Sequence, residues 1–468
     1  MADRSPRPRG AGAMDFADRT VLVCGAGVAG TSATRVLLAR RARVLLADRD
    51  TSTAVADLVR AGAVYIGSPQ QMPAGVDLVV TSPGWRPDHP LLIDALARGI
   101  EVLGEVEFAW RLRGPAAPPW LAVTGTNGKT TTARMLESIL QVSGARALAV
   151  GNVGVPIIDA VVTEPPYDVL AVEVSSFQLY WSSSITPAAG ALLNLAPDHL
   201  DWHGSMEAYA AAKTRIWAGW LAIGNADDPR VAELLRSAET PTKVTFTLGP
   251  PGPGQLGVVD GMLTDRAFGG AAERPLPLVA AASIRPPGAH NVANALAAAA
   301  LARAHGVSAE VVAAGLQAFR PDPHRNEFVA TRAGVDYVDD SKATNAHAAL
   351  ASLTAYQPVV WIGGGQLKGT VVDELVASVA GRLRGVVLLG EDREAIAQAL
   401  RRHAPDVRVV EVIRTDDGAM TEVVAAAAGL ARPGDTVLLA PAAASYDMFR
   451  GYAARGEAFA TAARELPA

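Results

Sequence analysis

The stretch Val123–Thr132 constrains the fold of this chain most, because it reads Val-Thr-Gly-Thr-Asn-Gly-Lys-Thr-Thr-Thr and follows an apolar run from Trp120. A strand, a tight glycine turn and a helix point several backbone N–H groups and the positive helix end at one anion. Lys129 is then placed to reach the outer phosphates of a nucleoside triphosphate, and Thr130 to bind Mg²⁺. The strict pattern has glycine where Val123 stands, so this is a shortened phosphate loop. The alternative is an ordinary glycine-rich turn.

Two strand ends downstream carry side chains suited to a metal ion. The apolar run Val169–Val172 ends at Glu173, whose carboxylate can bind Mg²⁺ directly or through water. The run Gly190–Leu195 is followed by His199, a second candidate ligand. A solvated strand-end glutamate and a histidine that is only hydrogen-bonded are the alternatives, and the pattern alone leaves both open.

Lys213 is notable because it interrupts an apolar stripe. The spacing predicts a helix over Met206–Trp220. Its apolar face is formed, at i, i+3 and i+4 spacing, by Met206, Tyr209, Ile216, Trp217 and Trp220. Lys213 lies in the middle of that face, either as a side chain that snorkels from the edge of the core or as a functional lysine that is desolvated or chemically modified.

The N-terminal region carries a second glycine turn. The apolar run Val21–Cys24 leads into Gly25-x-Gly27-x-x-Gly30, and Asp48 follows about 20 residues later. Taken alone, this pattern predicts an NAD-dependent oxidoreductase. A dehydrogenase, however, has no need of a second phosphate site with metal-ligand candidates, so the downstream loop argues against that function.

Strand-like runs alternate with helical stretches along most of the chain, which indicates parallel sheets with right-handed crossovers. At roughly 150 residues per domain, 468 residues suggest about three domains, and Gly114–Pro119 is the strongest linker. We predict an α/β fold with three domains in series: Rossmann-like, P-loop-type ATPase, and Rossmann-like. The predicted bounds are 1–14 for a disordered tail and 15–113, 114–322 and 323–468 for the domains.

Charge and cysteine content exclude several classes of protein. The 42 Lys+Arg oppose 47 Asp+Glu, and the absence of a large basic block argues against nucleic-acid binding. Cys24 is the single cysteine, which is typical of a reducing compartment. No apolar run approaches the roughly 18 residues of a membrane span, and the Arg-rich N-terminus lacks the apolar core of a secretory signal. We therefore expect a cytoplasmic protein, with Met14 as an alternative start.

Eight short motifs occur in a fixed order, although each is a weak signal alone. They are Thr124-Gly125-Thr126-Asn127-Gly128-Lys129, Gly151-Asn152-Val153-Gly154, Glu173-Val174-Ser175-Ser176-Phe177-Gln178-Leu179, Asp198-His199, Ala212-Lys213, His290-Asn291-Val292-Ala293-Asn294, Pro323-His324-Arg325 and Asp340-Ser341-Lys342-Ala343-Thr344-Asn345. Together they resemble the Mur ligase family over nearly the whole chain from about Phe16. The third and eighth motifs are similar to the branch that adds D-glutamate.

The resemblance implies an ATP-dependent ligase of peptidoglycan precursor synthesis. Such an enzyme adds D-glutamate to UDP-N-acetylmuramoyl-L-alanine through an acyl-phosphate intermediate, and it is expected to act as a monomer. The resemblance implies Lys129, Glu173, His199 and Lys213 as catalytic residues. It also implies two Mg²⁺ ions, one at Thr130 and Glu173 and one at His199 and Lys213, with Lys213 carried as a carbamate.

The resemblance also assigns residues to each ligand. Those implied for ATP are Gly125, Thr126, Asn127, Gly128, Lys129, Thr130, Thr131, Thr132, Asn291, Asn294, Arg325 and Asp340. Those implied for the UDP-substrate, mostly in the first domain, are Gly27, Val28, Ala29, Asp48, Arg49, Ser82, Pro83, Gly84, Asn152 and Ser175. Those implied for D-glutamate, in the C-terminal domain, are Lys342, Thr344, Lys368, Ser445, Tyr446 and Tyr452.

Two positions depart from the family pattern. The segment Gly363–Lys368 lacks the acidic residue that many relatives place after the glycines, and its lysine sits one residue later. Tyr452 stands where a phenylalanine is expected. Lys368 and Tyr452 are therefore the two assignments that the resemblance supports least.

Two further functions are compatible with the motifs. A non-catalytic nucleotide-binding module would bind ATP without releasing phosphate in response to D-glutamate. A sister Mur ligase or a folylpolyglutamate synthase would keep the chemistry and change the acceptor, because amino-acid specificity rests on side-chain contacts.

Overall fold

A computed structural model describes residues 14–114, 116–268, 275–416 and 418–467. The chain divides into two compact units. One comprises the chain up to Ala280 together with Asn294–Ala318, and the other comprises Ala281–Ala293 and the chain from Phe319 onward. The predicted tail lies outside the described residues except for Met14, which packs against the core of the first unit.

The first unit begins with a five-stranded sheet whose strands are all parallel. The strands are β1 (Thr20–Cys24), β2 (Arg43–Ala47), β3 (Val64–Tyr65), β4 (Leu78–Thr81) and β5 (Glu101–Gly104). The accompanying helices are α1 (Val28–Ala39), α2 (Thr53–Arg60), α3 (Pro90–Ala97) and α4 (Glu105–Leu112). The strand order β3-β2-β1-β4-β5 confirms the predicted Rossmann-like topology.

The same unit contains a nine-stranded sheet. Its strands are β6 (Trp120–Thr124), β7 (Ala147–Gly151), β8 (Val169–Glu173), β9 (Ala189–Leu192), β10 (Leu221–Asn225), β11 (Thr242–Phe246), β12 (Gln255–Val259), β13 (Met262–Asp265) and β14 (Leu276–Ala280). The order is β14-β13-β12-β11-β10-β9-β6-β8-β7, and only the pairs that involve β13 are antiparallel. β6, which ends at Thr124, therefore has a parallel strand on either side.

The helices of this central region follow its strands. They are α5 (Lys129–Val142), α6 (Ile157–Val162), α7 (Ser176–Tyr180), α8 (Leu200–His203), α9 (Met206–Thr214), α10 (Pro229–Ser237), α11 (Ala289–Ala304) and α12 (Ala309–Ala318). Among the helices of the described chain, none is long and apolar enough to cross a membrane.

The helix predicted over Met206–Trp220 is wrong in its C-terminal part. α9 ends at Thr214 and a single 3-10 turn follows. The chain turns because Gly219 lies against the backbone of Pro187, where a Cβ would sit 1.7 Å from the carbonyl oxygen. Trp220 is consequently 54% exposed and does not belong to the apolar face.

The second unit is built on a six-stranded sheet. Its strands are β15 (Glu327–Arg332), β16 (Val335–Asp339), β17 (Val359–Gly364), β18 (Leu383–Leu389), β19 (Arg408–Glu411) and β20 (Thr436–Leu439). Its helices are α13 (Ala346–Leu353), α14 (Asp373–Val379), α15 (Arg393–His403), α16 (Ala419–Leu430) and α17 (Tyr452–Glu465). The order is β15-β16-β20-β17-β18-β19, and only β15 is antiparallel to its neighbour.

Both faces of this sheet are buried. Trp361 belongs to one apolar cluster, whereas Val360 and Ile362 belong to another. Successive residues of β17 thus point into different cores, which explains why its sequence is a continuous apolar run. Polar residues are left for the loops at the strand ends, where α/β sheets bind ligands.

Candidate active site

The predicted phosphate loop has the geometry of an anion cradle. β6 is fully buried, and α5 begins at Lys129 directly after Gly128. Gly128 has a φ of 83°, and a Cβ there would lie 2.3 Å from Oδ1 of Asn294. Glycine is therefore required both for the backbone angle and for the close approach of Asn294. The first N–H groups of α5 have no partner within the helix, which makes this end suitable for phosphate.

Lys129 lies over its own loop. Its Nζ donates to the carbonyl oxygens of Gly125 at 3.0 Å and Thr126 at 2.9 Å. Thr130 is half-buried, whereas Thr131 and Thr132 are buried. The ammonium group and the hydroxyl of Thr130 thus stand at the start of α5, on the side that the sequence predicted for ATP.

The loop is tied to the segment after β9 by Asn194. The Asn194 side chain accepts from the N–H of Asn127 at 2.8 Å and donates to its carbonyl at 3.1 Å. The backbone carbonyl of Asn194 accepts from the N–H of Thr126 at 3.0 Å. Thr126 in turn donates its hydroxyl to the carbonyl of Ala196 at 3.2 Å. Sequence reasoning missed Asn194, although its position at a strand end was the available signal.

Glu173 lies at the end of β8, next to the strand that leads into the loop. In the parallel register, Glu173 is the partner of Val123 on β6. Its Oε1 accepts from the side chain of Asn152 at 2.8 Å, while its Oε2 is buried with no hydrogen-bond partner among the described residues. A buried carboxylate oxygen without a partner is costly unless a cation satisfies it. This orphaned oxygen fits Mg²⁺, which prefers oxygen ligands.

Lys213 is buried in the same region and is only 1% exposed, so the snorkelling alternative is wrong. Its Nζ donates to the hydroxyl of Thr124 at 3.3 Å and to the carbonyl of Gly125 at 2.8 Å. Burial and the neighbouring Lys129 hold the pKa of Lys213 well below its ordinary value, with Glu173 among the acids that oppose this. A lysine with such a pKa is a neutral, nucleophilic amine for a larger part of the time.

His199 follows β9 in the left-handed region, with a φ of 52°. Its side chain is 47% exposed, and its Nε2 lies 3.5 Å from Oδ2 of Asp198. Desolvation lowers its pKa, and Asp198 partly offsets this. The centroid of the His199 ring lies 4.7 Å from the centroid of the Phe177 ring.

Aromatic side chains around His199 were missed by the sequence reasoning. The ring of Phe177 stacks on that of His203 at 5.7 Å, and His203 Nε2 is 2.9 Å from the hydroxyl of Ser176. Tyr209 places its hydroxyl 3.0 Å from Oγ1 of Thr126, in the phosphate loop. These rings connect the phosphate loop with α7 and α9. The spacing of the aromatic residues in the sequence does not predict these contacts.

Asn152 and Ser175 lie beside Glu173, but both already have local partners. Asn152 donates to Glu173, as described, and Ser175 is the N-cap of α7. The cap is a capping box, because Ser175 accepts from the N–H of Gln178 at 3.2 Å and Gln178 Oε1 accepts from the N–H of Ser175 at 2.9 Å. Gln178 was not predicted as a site residue, although the Ser-x-x-Gln spacing is the signal of this box.

The N-terminal glycine turn is closed by Asp48, whose Oδ2 accepts from the N–H of Ala26 at 2.6 Å. Gly25 has a φ of 98°, and a Cβ on Gly30 would lie 1.7 Å from the Gly25 carbonyl oxygen. Ser82 Oγ is buried with no hydrogen-bond partner among the described residues. A shallow recess beside the turn is lined by Ala29, Gly30, Val80, Thr81, Ser82 and Glu105.

Several other residues predicted for the UDP-substrate lie at the surface or are half-buried. Val28 is 73% exposed at the start of α1. Gly27, Arg49 and Gly84 are also exposed, and Pro83 is half-buried. These side chains and backbone groups are therefore accessible to a ligand, as their assignment requires.

Glu105, which was not predicted, connects the recess with the capping box. Its Oε2 accepts from Nε2 of Gln178 at 3.3 Å. Burial raises the pKa of Glu105 from 4.5 to about 7, and the hydrogen bond from Gln178 lowers it in part. Asp159, which accepts from the hydroxyl of Ser32 at 3.0 Å, raises the Glu105 pKa further.

In the second unit, the structure pairs the predicted lysines with the predicted tyrosines. Lys342 Nζ lies 3.9 Å from the ring centroid of Tyr452, and Lys368 Nζ lies 6.0 Å from that of Tyr446. Both contacts are of the cation–π type. Thr344 donates its N–H to the Lys342 carbonyl at 2.8 Å, so that these two predicted residues belong to one tight turn. Ser445 is buried and Tyr446 is 70% exposed.

The residues predicted for ATP are distributed over both units. Asn294 is in the first unit, whereas Asn291, Arg325 and Asp340 are in the second. Asn291 donates its side-chain amide to the Pro287 carbonyl at 3.3 Å. Burial raises the pKa of Asp340 to about 6, and Arg325 partly offsets this.

Arg455 in α17 is the most buried cation of the second unit among its described residues, at 1% exposure. It donates to Oγ and the carbonyl of Ser341, to the carbonyl of Gly364 and to that of Ala443. The sequence reasoning missed it. The available signal was its place on an apolar face, four residues before Phe459.

Three family models match successive parts of the chain. A Mur ligase MurD-like N-terminal domain matches residues 19–104, a Mur ligase middle domain matches residues 123–302, and a Mur ligase glutamate ligase domain matches residues 324–443. These matches fall within the three domains predicted from the sequence, although the domain bounds themselves stay a prediction.

Full-length relatives are similar to nearly the whole chain. A UDP-N-acetylmuramoylalanine–D-glutamate ligase of Thermobifida fusca is 57% identical, over 97% of this chain and 100% of the relative. The ligase of the same name in Streptomyces coelicolor is 54% identical, over 97% and 99%. Among solved structures, MurF from Acinetobacter baumannii aligns with a TM-score of 0.59 at 18% identity, over 95% of this chain and 93% of that one. This last similarity concerns the fold.

Proposed function

This chain belongs to the Mur ligase family, and we propose that it is an ATP-dependent ligase that joins D-glutamate to UDP-N-acetylmuramoyl-L-alanine, with release of ADP and phosphate. The product is a precursor of peptidoglycan. The acceptor is proposed to be D-glutamate because the full-length relatives at 57% and 54% identity carry that name.

One observation supports the chemistry above all others. A phosphate loop with Lys129, an orphaned carboxylate oxygen on Glu173 and the buried amine of Lys213 occur at the ends of neighbouring strands. A phosphoryl donor, a metal and a carboxylate nucleophile need such a set, because the reaction brings negative charges together. A plain nucleotide-binding module needs no orphaned acid.

For the first step, we assign the phosphates of ATP to Lys129 and the N–H groups at the start of α5. A substrate carboxylate oxygen attacks the γ-phosphorus, the bond to ADP breaks, and an acyl phosphate forms. Lys129 supplies positive charge where the phosphoryl group gathers negative charge. Thr130 and Glu173 would hold one Mg²⁺, which supplies further charge neutralisation when bound.

For a second Mg²⁺, we assign His199 and a carbamylated Lys213. The lysine amine attacks CO₂, a C–N bond forms, and one proton leaves, so that a cation becomes an oxygen-bearing anion. The lowered pKa of Lys213 supports this, because only the neutral amine is nucleophilic. An ammonium group has no free electron pair for a metal, whereas a carbamate offers the oxygen ligands that Mg²⁺ prefers.

The two remaining substrates are assigned to the two Rossmann-like parts. The diphosphate of the UDP-substrate is placed at the glycine turn of Gly27–Ala29, whose helix end attracts anions. Ser82 is a further donor there because its hydroxyl is buried and unpartnered among the described residues. D-Glutamate is assigned to the loops that carry Lys342, Thr344, Lys368, Ser445, Tyr446 and Tyr452. Its amine then attacks the acyl carbon, and phosphate leaves.

A phosphate-release assay tests the whole proposal. The full-length protein is incubated with ATP, Mg²⁺, UDP-N-acetylmuramoyl-L-alanine and a panel of D- and L-amino acids. We expect phosphate only when the UDP-substrate and D-glutamate are both present. Phosphate release with another amino acid would support a sister ligase. ATP binding without phosphate release would support a nucleotide-binding module. Saturable NADH binding without a response to the UDP-substrate would support an oxidoreductase.

Lys129→Ala tests the assignment of the phosphate loop. We expect D-glutamate-dependent phosphate release to fall by about 10²–10³-fold, the usual effect of removing one preorganised charged donor. Binding of the UDP-substrate, measured by tryptophan fluorescence, should stay nearly intact. Lys243→Ala removes an exposed lysine whose Nζ donates to the Arg236 carbonyl, and it serves as the control. Loss of UDP-substrate binding in Lys129→Ala would contradict the division of roles.

A further inference from the structure

Arg455 connects three loops at the carboxyl edge of the six-stranded sheet. Its Nε donates to Ser341 Oγ at 3.0 Å, and its Nη2 donates to the Ser341 carbonyl at 2.9 Å, just after β16. Both Nη atoms donate to the Ala443 carbonyl, at 3.2 and 3.1 Å, after β20. Nη1 also reaches the carbonyl of Gly364, the last residue of β17, at 3.4 Å. One side chain thus fixes the spacing of three neighbouring strand ends.

These loops carry the residues assigned to D-glutamate. Ser341 precedes Lys342, and its hydroxyl donates to the carbonyl of Tyr452 at 2.8 Å. Ala443 comes two residues before Ser445, and Gly364 four residues before Lys368. A shift of any of these backbones by a few tenths of an ångström would move an assigned ligand group.

The charge of Arg455 is not neutralised by an ion pair with any described residue. Every acceptor of its hydrogen bonds is a carbonyl or a hydroxyl oxygen, and no carboxylate in the described part of the chain lies within salt-bridge distance. Burial lowers the pKa of Arg455 to about 10, against the fields of Asp447 and Asp339. The guanidinium is therefore charged at neutral pH, in a site with little solvent to screen it.

We propose that Arg455 is the positioning residue of the amino-acid site, where it holds three strand-end loops in register and supplies a positive field that favours an amino acid with two carboxylates. This inference rests on the proposed function, because it takes D-glutamate as the ligand. Arg455 acts through the loops and through space, since its donors are all occupied by the protein.

Arg455→Lys is the first test, because lysine keeps the charge and loses the planar set of donors. Steady-state phosphate release would be measured against each substrate. We expect KM for D-glutamate to rise about tenfold, the equivalent of losing one hydrogen bond to a charged group. The values of KM for ATP and the UDP-substrate should stay within about twofold, and kcat within about threefold. Arg464→Lys changes an exposed arginine of the same helix and should leave all constants unchanged.

Arg455→Met tests the role of the charge. Wild-type protein should prefer D-glutamate to D-glutamine, and this preference should shrink by about tenfold when the positive field is removed. If Arg455→Met does not fold, Ser341→Ala removes one acceptor of Arg455 together with the donor to the Tyr452 carbonyl, and it should raise KM for D-glutamate by about threefold. A merely structural residue would not change the ratio between the two amino acids.

The outcomes separate this inference from the proposed function. If wild-type protein releases no phosphate with D-glutamate, the proposed function is wrong and the inference fails with it. If wild-type protein is active and Arg455→Lys keeps its KM for D-glutamate, only the inference is overturned. A parallel rise of all three KM values would also overturn it, since that indicates general loss of structure.

Discussion

Two buried cations, Lys213 in the first unit and Arg455 in the second, differ in what burial does to their charge. Each is 1% exposed and lies on a helix, and each donates to oxygen atoms where parallel strands end. Burial lowers the pKa of both side chains. The pKa of Arg455 stays at about 10, so the group remains charged, whereas that of Lys213 falls well below its ordinary value.

The difference shows that burial selects different functions for the two side chains. An amine that loses its proton becomes a nucleophile and can be converted into an anion. A guanidinium keeps its charge and has five N–H donors that need acceptors. When these acceptors lie in neighbouring loops, the hydrogen bonds hold the loops rigidly together. Lys213 is thus suited to chemistry, and Arg455 to positioning.

Substitution of Lys213 by arginine is expected to have the largest effect. A guanidinium at position 213 stays protonated and cannot form a carbamate, so Lys213→Arg should lower D-glutamate-dependent phosphate release by about 10³-fold, the scale of losing a metal ligand. Lys213→Ala should lose as much, but short-chain carboxylates with bicarbonate should partly restore it, because they fill the space that the side chain leaves.

The contrast with Arg455→Lys makes this test specific. The exchange at 455 should change mainly KM for D-glutamate, whereas the exchange at 213 should change kcat. A wild-type rate in Lys213→Arg would remove the carbamate and the second metal from the proposed function. Mass spectrometry of the native protein, with and without bicarbonate, would report the modification independently of activity.

Glu105 is a buried acid, and burial favours its neutral form as it does that of Lys213. Its pKa is raised from 4.5 to about 7, so the folded state holds a proton that the unfolded chain releases between these values. Its contribution to stability is therefore lost as the pH rises through that window. Glu105→Gln should match wild type at pH 4.5 and be more stable at pH 8, by at most about 3 kcal/mol. Urea unfolding at both pH values measures this.

Glu107 on the same helix is the control for Glu105. Burial raises its pKa, but hydrogen bonds from Ser184, Ser183 and Arg111 outweigh burial, and the net pKa is lowered. Glu107→Gln should therefore lose stability at pH 8, where Glu105→Gln gains it. Identical pH profiles for Glu105→Gln and wild type would show that Glu105 does not titrate in this window.

Replacing each of the two buried cations by methionine should give a smaller difference, in this case in the free energy of unfolding. Arg455→Met deprives the carbonyls of Gly364 and Ala443 of these donors, so we expect a loss of about 2 kcal/mol in the free energy of unfolding. Lys213→Met should cost less than about 1 kcal/mol, because Lys129 still donates to the Gly125 carbonyl. Urea unfolding at neutral pH compares the two. An equal or larger loss in Lys213→Met would contradict the assigned positioning role of Arg455.

The elements that the sequence predicted correctly are those encoded by contiguous residues. The phosphate loop is one run from strand to helix, so its residues were identified together and the structure places them as one turn. The parallel sheets follow from apolar runs such as β6 and β17, which are buried on both faces. By contrast, β3 has only two residues, one exposed and one half-buried, and so short a strand is not distinguished by its pattern from a loop.

The residues that the sequence did not predict act through contacts between distant segments. Glu105 meets Gln178 across 73 positions, and Arg455 meets Ser341 across 114. No local period encodes such pairs. Arg455 was nevertheless detectable, because it shares an apolar face of α17 with Phe459 and Ala463, the same pattern that singled out Lys213.

The two-way bonding between Asn127 and Asn194 couples evolution at two places in the chain. The backbone around Asn127 is held by the segment that continues to His199, so neither can be remodelled without disturbing the other. Natural variants should therefore change these two positions in concert. A ligand that displaces the backbone of Asn127 should also shift the segment that carries His199.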